Sequence, residues 1–187
     1  MACSCVIRHI FSILPLLVIL SITPLSSSYS INDKITKELI NQLCSQPTIY
    51  NHFCVAWVTS VAKTFNLDLQ GLVYLLYQKT ELLGSKNLEM IKDLERTETE
   101  PKLKIPYGSC VKEYELSNRA IEEAKEFASA NSKAYLSASK AASRAFDSIS
   151  MCEAYLEGLK LPDHVSTRNL WFEGMCNIDK IFSDLLI

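Results

Sequence analysis

Residues 107–124 read YGSCVKEYELSNRAIEEA. Tyr107, Cys110, Val111, Tyr114, Ser117, Ile121 and Ala124 recur at intervals of three and four, so an α-helix gathers them on one face. A strand would scatter them over both sides of a sheet. Lys112, Glu115, Glu122 and Glu123 belong to a charged outward face. The stretch is therefore read as an amphipathic helix with a core of small and aromatic side chains.

The same period extends in both directions. Upstream, Leu69, Leu72, Val73, Leu76, Leu83, Met90, Ile91 and Leu94 predict a long helix from about Leu67 to Glu95, with polar breaks at Thr80 and Asn87. Between the two, RTETEPKLKIP, with Pro101 and Pro106, reads as a connection. Downstream, ASANSK reads as a soft break with Asn131 as the turn residue. Tyr135, Ala138, Ala142, Ala145, Phe146, Ile149, Cys152, Leu156 and Leu159 then form the next stripe, which Pro162 ends. Trp171, Met175, Ile178, Phe182 and Leu185 line a last helix. Asn32–Leu43 predicts a shorter helix before all of these, with a turn or helix around Cys44–Cys54. Tyr74, Tyr77, Tyr107, Tyr114, Tyr135 and Tyr155 fall at or beside stripe positions and are read as core. Short links between long helices favour antiparallel neighbours. The expected fold is all-α: an antiparallel up-and-down four-helix bundle over residues 67–187, preceded by an N-terminal helical hairpin over residues 29–66.

The first residues, MACSCVIRHIFSILPLLVILSITPLSSS, run from a basic start at Arg8 through a thirteen-residue apolar stretch, Ile10–Ile22, to small residues. That order is the one expected of a secretory signal over residues 1–28, and the apolar stretch is short for a membrane span of about 20 residues. Without Arg8 the basic count falls from 19 to 18 against 21 acids, a balance of −3, and no basic patch with interleaved aromatics stands out. Nucleic acid and anionic membrane are therefore poor partners.

Of seven cysteines, Cys3 and Cys5 leave with the signal; Cys44, Cys54, Cys110, Cys152 and Cys176 remain. In a secreted chain the ordinary use is the disulfide. Zinc is disfavoured because no CxxC pair exists and His52 and His164 lie far apart. Pairing is open from sequence, since four cysteines already allow three connectivities. The short Cys44–Cys54 loop contains Pro47, and antiparallel packing would bring Cys110 beside Cys152. Cys176 is the odd one, read as a small buried apolar residue.

The chain lacks a G-x-S-x-G elbow, an H-E-x-x-H pair and a glycine-rich phosphate loop. His52 and His164 are read as solvated loop residues, and Glu122–Glu123 as a solvated face. No Asn-x-Ser/Thr glycosylation site occurs. The reading is a non-enzymatic protein with neither cofactor nor metal.

The layout as a whole resembles the plant invertase and pectin methylesterase inhibitor family. The features that carry the resemblance are the Cys44-x9-Cys54 pair with Phe53 before its second cysteine, Cys110 with Tyr114 four residues on, and Lys133-x-Tyr135. The small-residue run into Cys152–Glu153 and the Thr167-Arg168-Asn169 lead into the last helix add to it. The resemblance covers essentially all of the chain beyond the signal. It implies disulfides Cys44–Cys54 and Cys110–Cys152. It also implies an inhibitor that binds a carbohydrate enzyme of the cell wall or vacuole, presenting bundle helices to an active-site cleft. Pectin methylesterase is the first target. Acid invertase is the alternative, weakened because Ser132-Lys133-Ala134 stands where invertase inhibitors typically carry Pro-Lys-Phe. A secreted helical binding module or lipid carrier is the reading from another class. The candidate contacts with the target are Lys112, Glu115, Glu122 and Lys125, in the apoplast or cell wall, with the vacuole as the other compartment.

Overall fold

The computed structural model describes residues 29–46, 50–60, 63–129 and 132–187. The signal segment 1–28, Pro47 and the proposed turn residue Asn131 lie outside the described residues. Six α-helices and a 3-10 turn, Thr64–Asn66, make up the regular structure there: α1 Lys37–Leu43, α2 Asn51–Thr59, α3 Leu69–Thr97, α4 Pro101–Phe127, α5 Tyr135–Leu156 and α6 Asp163–Asp184. The fold is the expected helical bundle with its N-terminal hairpin.

Cross-helix bonds fix the direction of each neighbour. From α4 to α5, Cys110 pairs with Cys152 and Ser117 Oγ donates to the Ala145 carbonyl at 3.0 Å, so one number rises as the other falls. The same holds between α3 and α4, where Glu81 meets Lys125 and Lys92 meets Glu115. It holds again between α5 and α6, where Ser139 meets Asp184 and Ser150 meets Glu173. Helix α3 also packs against α6, closing the bundle.

Two covalent links brace it. Cys44–Cys54 joins the end of α1 to α2, and Cys110–Cys152 joins α4 to α5. Cys176 is a free thiol, fully buried, and burial pushes its pKa well up. It behaves as a core residue rather than as a nucleophile.

Several boundaries differ from the sequence expectation, each for a local reason. Helix α1 begins at Lys37 rather than Asn32, because Thr36 has extended backbone and its hydroxyl caps the Leu39 N–H at 3.1 Å. The residues before it instead lie against the start of α3: Ile35 N–H donates to Leu67 O and Leu69 N–H to Asp33 O. RTETEPKLKIP is not a long connection. Only Glu98–Glu100 separate α3 from α4, since Pro101 takes the first helical position, where its missing N–H costs nothing. Pro106 is carried inside α4 near its start. Helix α5 stops at Leu156, short of Leu159, where Gly158 takes a left-handed φ of 74° that turns the chain away. Pro162 then serves as the N-cap of α6, which starts eight residues before Trp171.

The core seam is more polar than an apolar stripe would make it. On α3 the buried line passes through Thr80, Gly84 and Asn87, while Leu83 and Met90 sit at its edge. Gly84 is needed for close approach: a Cβ there would lie 2.6 Å from the Phe172 ring and against Asn118 Oδ1. Phe172 in turn stacks on Tyr114, with ring centroids 5.5 Å apart. Trp171, read from sequence as core, is instead 52 % exposed, and its neighbour Phe172 takes the buried place. Tyr155 likewise faces outward.

One chain of hydrogen bonds ties all four long helices. Tyr114 Oη of α4 donates to Asn169 Oδ1 of α6 at 3.0 Å, and Asn87 Nδ2 of α3 donates to Tyr114 Oη at 3.4 Å. Asn87 Nδ2 also donates to the Arg168 carbonyl, and Asn169 Nδ2 donates to Glu153 Oε2 of α5 at 2.5 Å. Residues scattered through the sequence signature (Tyr114, Glu153 and Asn169) thus meet beside the Cys110–Cys152 bridge.

The hairpin is fastened to the bundle through α3 and α6. Lys79 Nζ donates to the Trp57 carbonyl at 3.2 Å and to Ser60 Oγ at 2.6 Å, and it stands 3.6 Å from the centre of the Trp57 ring. On the other side Phe53 lies over Gly174, where a Cβ would come within 2.9 Å of the ring.

Candidate functional site

A helix in a closed bundle has about half its surface committed to neighbours, so anything that binds a partner must come from the outer strips. On α4 the outer strip is Lys112, Glu115, Arg119 and Glu122, spaced at three and four and all exposed. Helix α3 runs antiparallel beside it and offers Glu81, Ser85, Leu88 and Lys92 at the same spacing. Together they line a shallow groove of about 340 Å³ with Glu115, Asn118, Arg119 and Glu122.

The groove is a lattice of opposite charges. Lys92 Nζ lies 2.7 Å from Glu115 Oε1, and Lys125 Nζ lies 2.6 Å from Glu81 Oε2. The hydrogen bond from Lys92 holds the Glu115 carboxyl below its usual pKa, so it stays ionised in mildly acidic surroundings. Across the other side of α4, Arg144 pairs with Glu123 at 2.5 Å.

The four residues singled out from sequence therefore fall into two groups. Glu115 and Glu122 line the groove, and Lys112 continues the same strip of α4. Lys125 differs: its side chain is only 21 % exposed and is turned onto Glu81 at the α3 interface. It fastens α4 to α3 more than it offers charge to a partner. The residues missed were Glu81, Lys92 and Arg119. Their three- and four-residue spacing was visible, but which strip of α3 would face which strip of α4 was not.

A second concave feature lies where the hairpin meets α5 and α6. It measures about 500 Å³ and is lined by Tyr50, Phe53, Phe146, Leu170, Trp171, Glu173, Gly174, Asn177 and Ile178. Tyr50 is 85 % exposed and Leu170 54 %. Sequence reading missed it because Trp171 sits one position from the buried Phe172, inside the error of a periodicity argument.

His52 and His164 are both exposed, and among the described residues no three His, Cys, Asp or Glu side chains are grouped to hold a metal ion. No helix among them is long and apolar enough to cross a membrane.

The chain was compared with known proteins. A family model described as plant invertase/pectin methylesterase inhibitor matches residues 38–179. A pectinesterase inhibitor of Actinidia deliciosa is 31 % identical over 172 residues, covering 91 % of this chain and 90 % of that one. Pectinesterase inhibitor 2 of Arabidopsis thaliana is 27 % identical over 135 residues, covering 72 % and 76 %. The fold is similar to two solved structures. A mutant form of a pectin methylesterase inhibitor from Arabidopsis has TM-score 0.65 and 24 % identity, covering 72 % of this chain and 88 % of that one. A pectin methylesterase inhibitor from Arabidopsis thaliana has TM-score 0.61 and 23 % identity, covering 82 % and 99 %.

Proposed function

Since the chain belongs to the plant invertase/pectin methylesterase inhibitor family, we propose that it is a secreted, non-catalytic inhibitor of pectin methylesterase. The observation that carries the reading is the 31 % identity to a pectinesterase inhibitor across nearly the full length of both chains. Residues 1–28 act as the secretory leader and residues 29–187 as the inhibitor, working in the cell wall. The acid-invertase reading has no residue of its own in favour, since Ser132-Lys133-Ala134 lacks the proline and the aromatic.

The physical account is steric. Two disulfides and a four-helix hydrogen-bond chain leave a scaffold that loses little freedom on docking, so a charged face can still bind tightly. The α3/α4 groove, with Lys112, Glu115 and Glu122 at its α4 side, covers the target's active-site cleft and excludes the polymer. Its alternating charges set register and speed association.

The test is an inhibition assay of the oxidised secreted protein against a pectin methylesterase and an acid invertase. The esterase is inhibited and the invertase is not. Reversal of two charges, Lys112→Glu with Glu122→Lys, weakens inhibition about tenfold, or about 1.4 kcal/mol. An unchanged inhibition constant removes the groove from the interface. Inhibition of the invertase alone removes the esterase from the function.

A further inference from the structure

We propose that the aromatic cleft between the hairpin and α6 is a carbohydrate subsite, taking the neutral, methyl-esterified form of the polymer rather than its de-esterified, anionic form. Only the choice of polymer rests on the function proposed above; the site stands on its own geometry.

The cleft has the size of a small-ligand site, about 500 Å³. Its walls include the rings of Tyr50, Phe53, Phe146 and Trp171. Its charged group is the Glu173 carboxylate. A pyranose ring has one apolar C–H face and a girdle of hydroxyls. The face packs on aromatic surface, and the hydroxyls donate to a carboxylate. Glu173 is held in place by the Ser150 hydroxyl, which donates to its Oε1 at 2.6 Å.

The shape depends on Gly174. A side chain there would push Phe53 off α6 and disturb the wall, with Cβ only 2.9 Å from the ring. Trp171 holds half its surface in solvent although a buried aromatic position, Phe172, is next to it.

Charge selects between forms of the sugar. Among the described residues that line the cleft there is no lysine or arginine, and the one ionisable acid is Glu173. A run of free uronates meets that carboxylate with like charge and without a cation to offset it. The methyl ester removes the repulsion and adds an apolar group for the rings.

The test titrates the oxidised protein with a methyl-esterified galacturonide oligomer and, separately, with the same oligomer de-esterified, at about pH 6 where free uronates are ionised. Binding is followed by titration calorimetry in every variant, and in the native protein also by tryptophan fluorescence and by the indole signals in a nitrogen–proton correlation spectrum. The esterified oligomer binds saturably and the free acid binds at least about tenfold more weakly. Trp171→Ala abolishes binding, and the near-isosteric Glu173→Gln narrows the difference between the two oligomers. Absence of saturable binding by the esterified oligomer overturns the proposal, as does a preference that Glu173→Gln leaves unchanged. So does a Trp171→Ala variant that loses esterase inhibition while the native protein binds neither oligomer, since the cleft is then a protein contact. A protein that binds the esterified oligomer but inhibits no esterase keeps this inference and sinks the function proposed above.

Discussion

Replacing Tyr114 by phenylalanine removes one oxygen from the centre of the bundle and leaves the ring stacked on Phe172. Burial holds the phenol's pKa well above its ordinary value, so the hydroxyl is a neutral donor throughout the accessible pH range. In the variant Asn87 keeps the Arg168 carbonyl as a partner, but Asn169 Oδ1 loses its donor in a buried site. The lost bond is worth about 1 kcal/mol, and a buried acceptor left without a partner costs about 1–3 kcal/mol. These overlap, so the expected loss is about 2 kcal/mol. For a chain of 187 residues that is a drop in Tm of about 4–8 °C. The assay is urea unfolding of the oxidised protein followed by circular dichroism, with the midpoint compared at constant slope. The double variant Tyr114→Phe with Asn169→Leu loses less than the two single losses combined, because the bond between Tyr114 and Asn169 is counted in both single losses and can be lost only once. A single-variant loss below about 0.5 kcal/mol would refute the view that this chain of bonds fastens the four helices.

Three other perturbations follow from the same packing. Removing the Cys110–Cys152 bridge by a serine pair frees a loop of sequence separation 42, which the chain-entropy model puts at about 4 kcal/mol, against about 3 for Cys44–Cys54 with separation 10; denaturant midpoints in that order check it. Gly84→Ala drives a methyl onto the Phe172 ring and costs about 1–3 kcal/mol, read as a lower Tm and weakened near-ultraviolet dichroism. Asp179 is fully buried, and burial pushes its carboxyl well above the usual range against the opposing pull of the Thr80 hydroxyl and the Lys79 ammonium. The folded protein therefore holds this proton where the unfolded chain releases it. The stability Asp179 contributes is fully present below its unfolded pKa and is lost as pH rises through the folded value. Asp179→Asn removes that part of the pH dependence, so Tm profiles of variant and parent come together in acid and separate, the variant higher, toward neutral pH. Parallel profiles across that window would contradict the assignment.

The period of three and four in Tyr107–Ala124 and its neighbours was enough for an all-helical bundle, because amphipathicity is a property of spacing along the chain and needs no knowledge of the partner. The same held for oxidised cysteines: a leader-like start and the absence of ligand-like pairs are local features. Which cysteines pair was another matter. Cys110 and Cys152 become neighbours only when α4 and α5 lie antiparallel in one register, and residue spacing alone left the alternatives open until the family resemblance was considered.

Register also decided the errors. Trp171 and Phe172 differ by one step of about 100° around a helix, which periodicity resolves poorly, and Gly84, where a Cβ would come within 2.6 Å of the Phe172 ring, leaves the room that lets that ring go inside. Lys125 reads as an exposed charge until Glu81 of α3 is seen 2.6 Å away. Asn87 looks like a flaw in an apolar stripe, and only the arrival of Tyr114 and Arg168 from other helices shows it as part of a polar seam. Sequence determines which face of each helix is apolar, since that depends on intervals within one segment. Tertiary structure decides what each polar residue meets, since a hydrogen bond or an ion pair reaches about 3 Å and its partner lies far away along the chain.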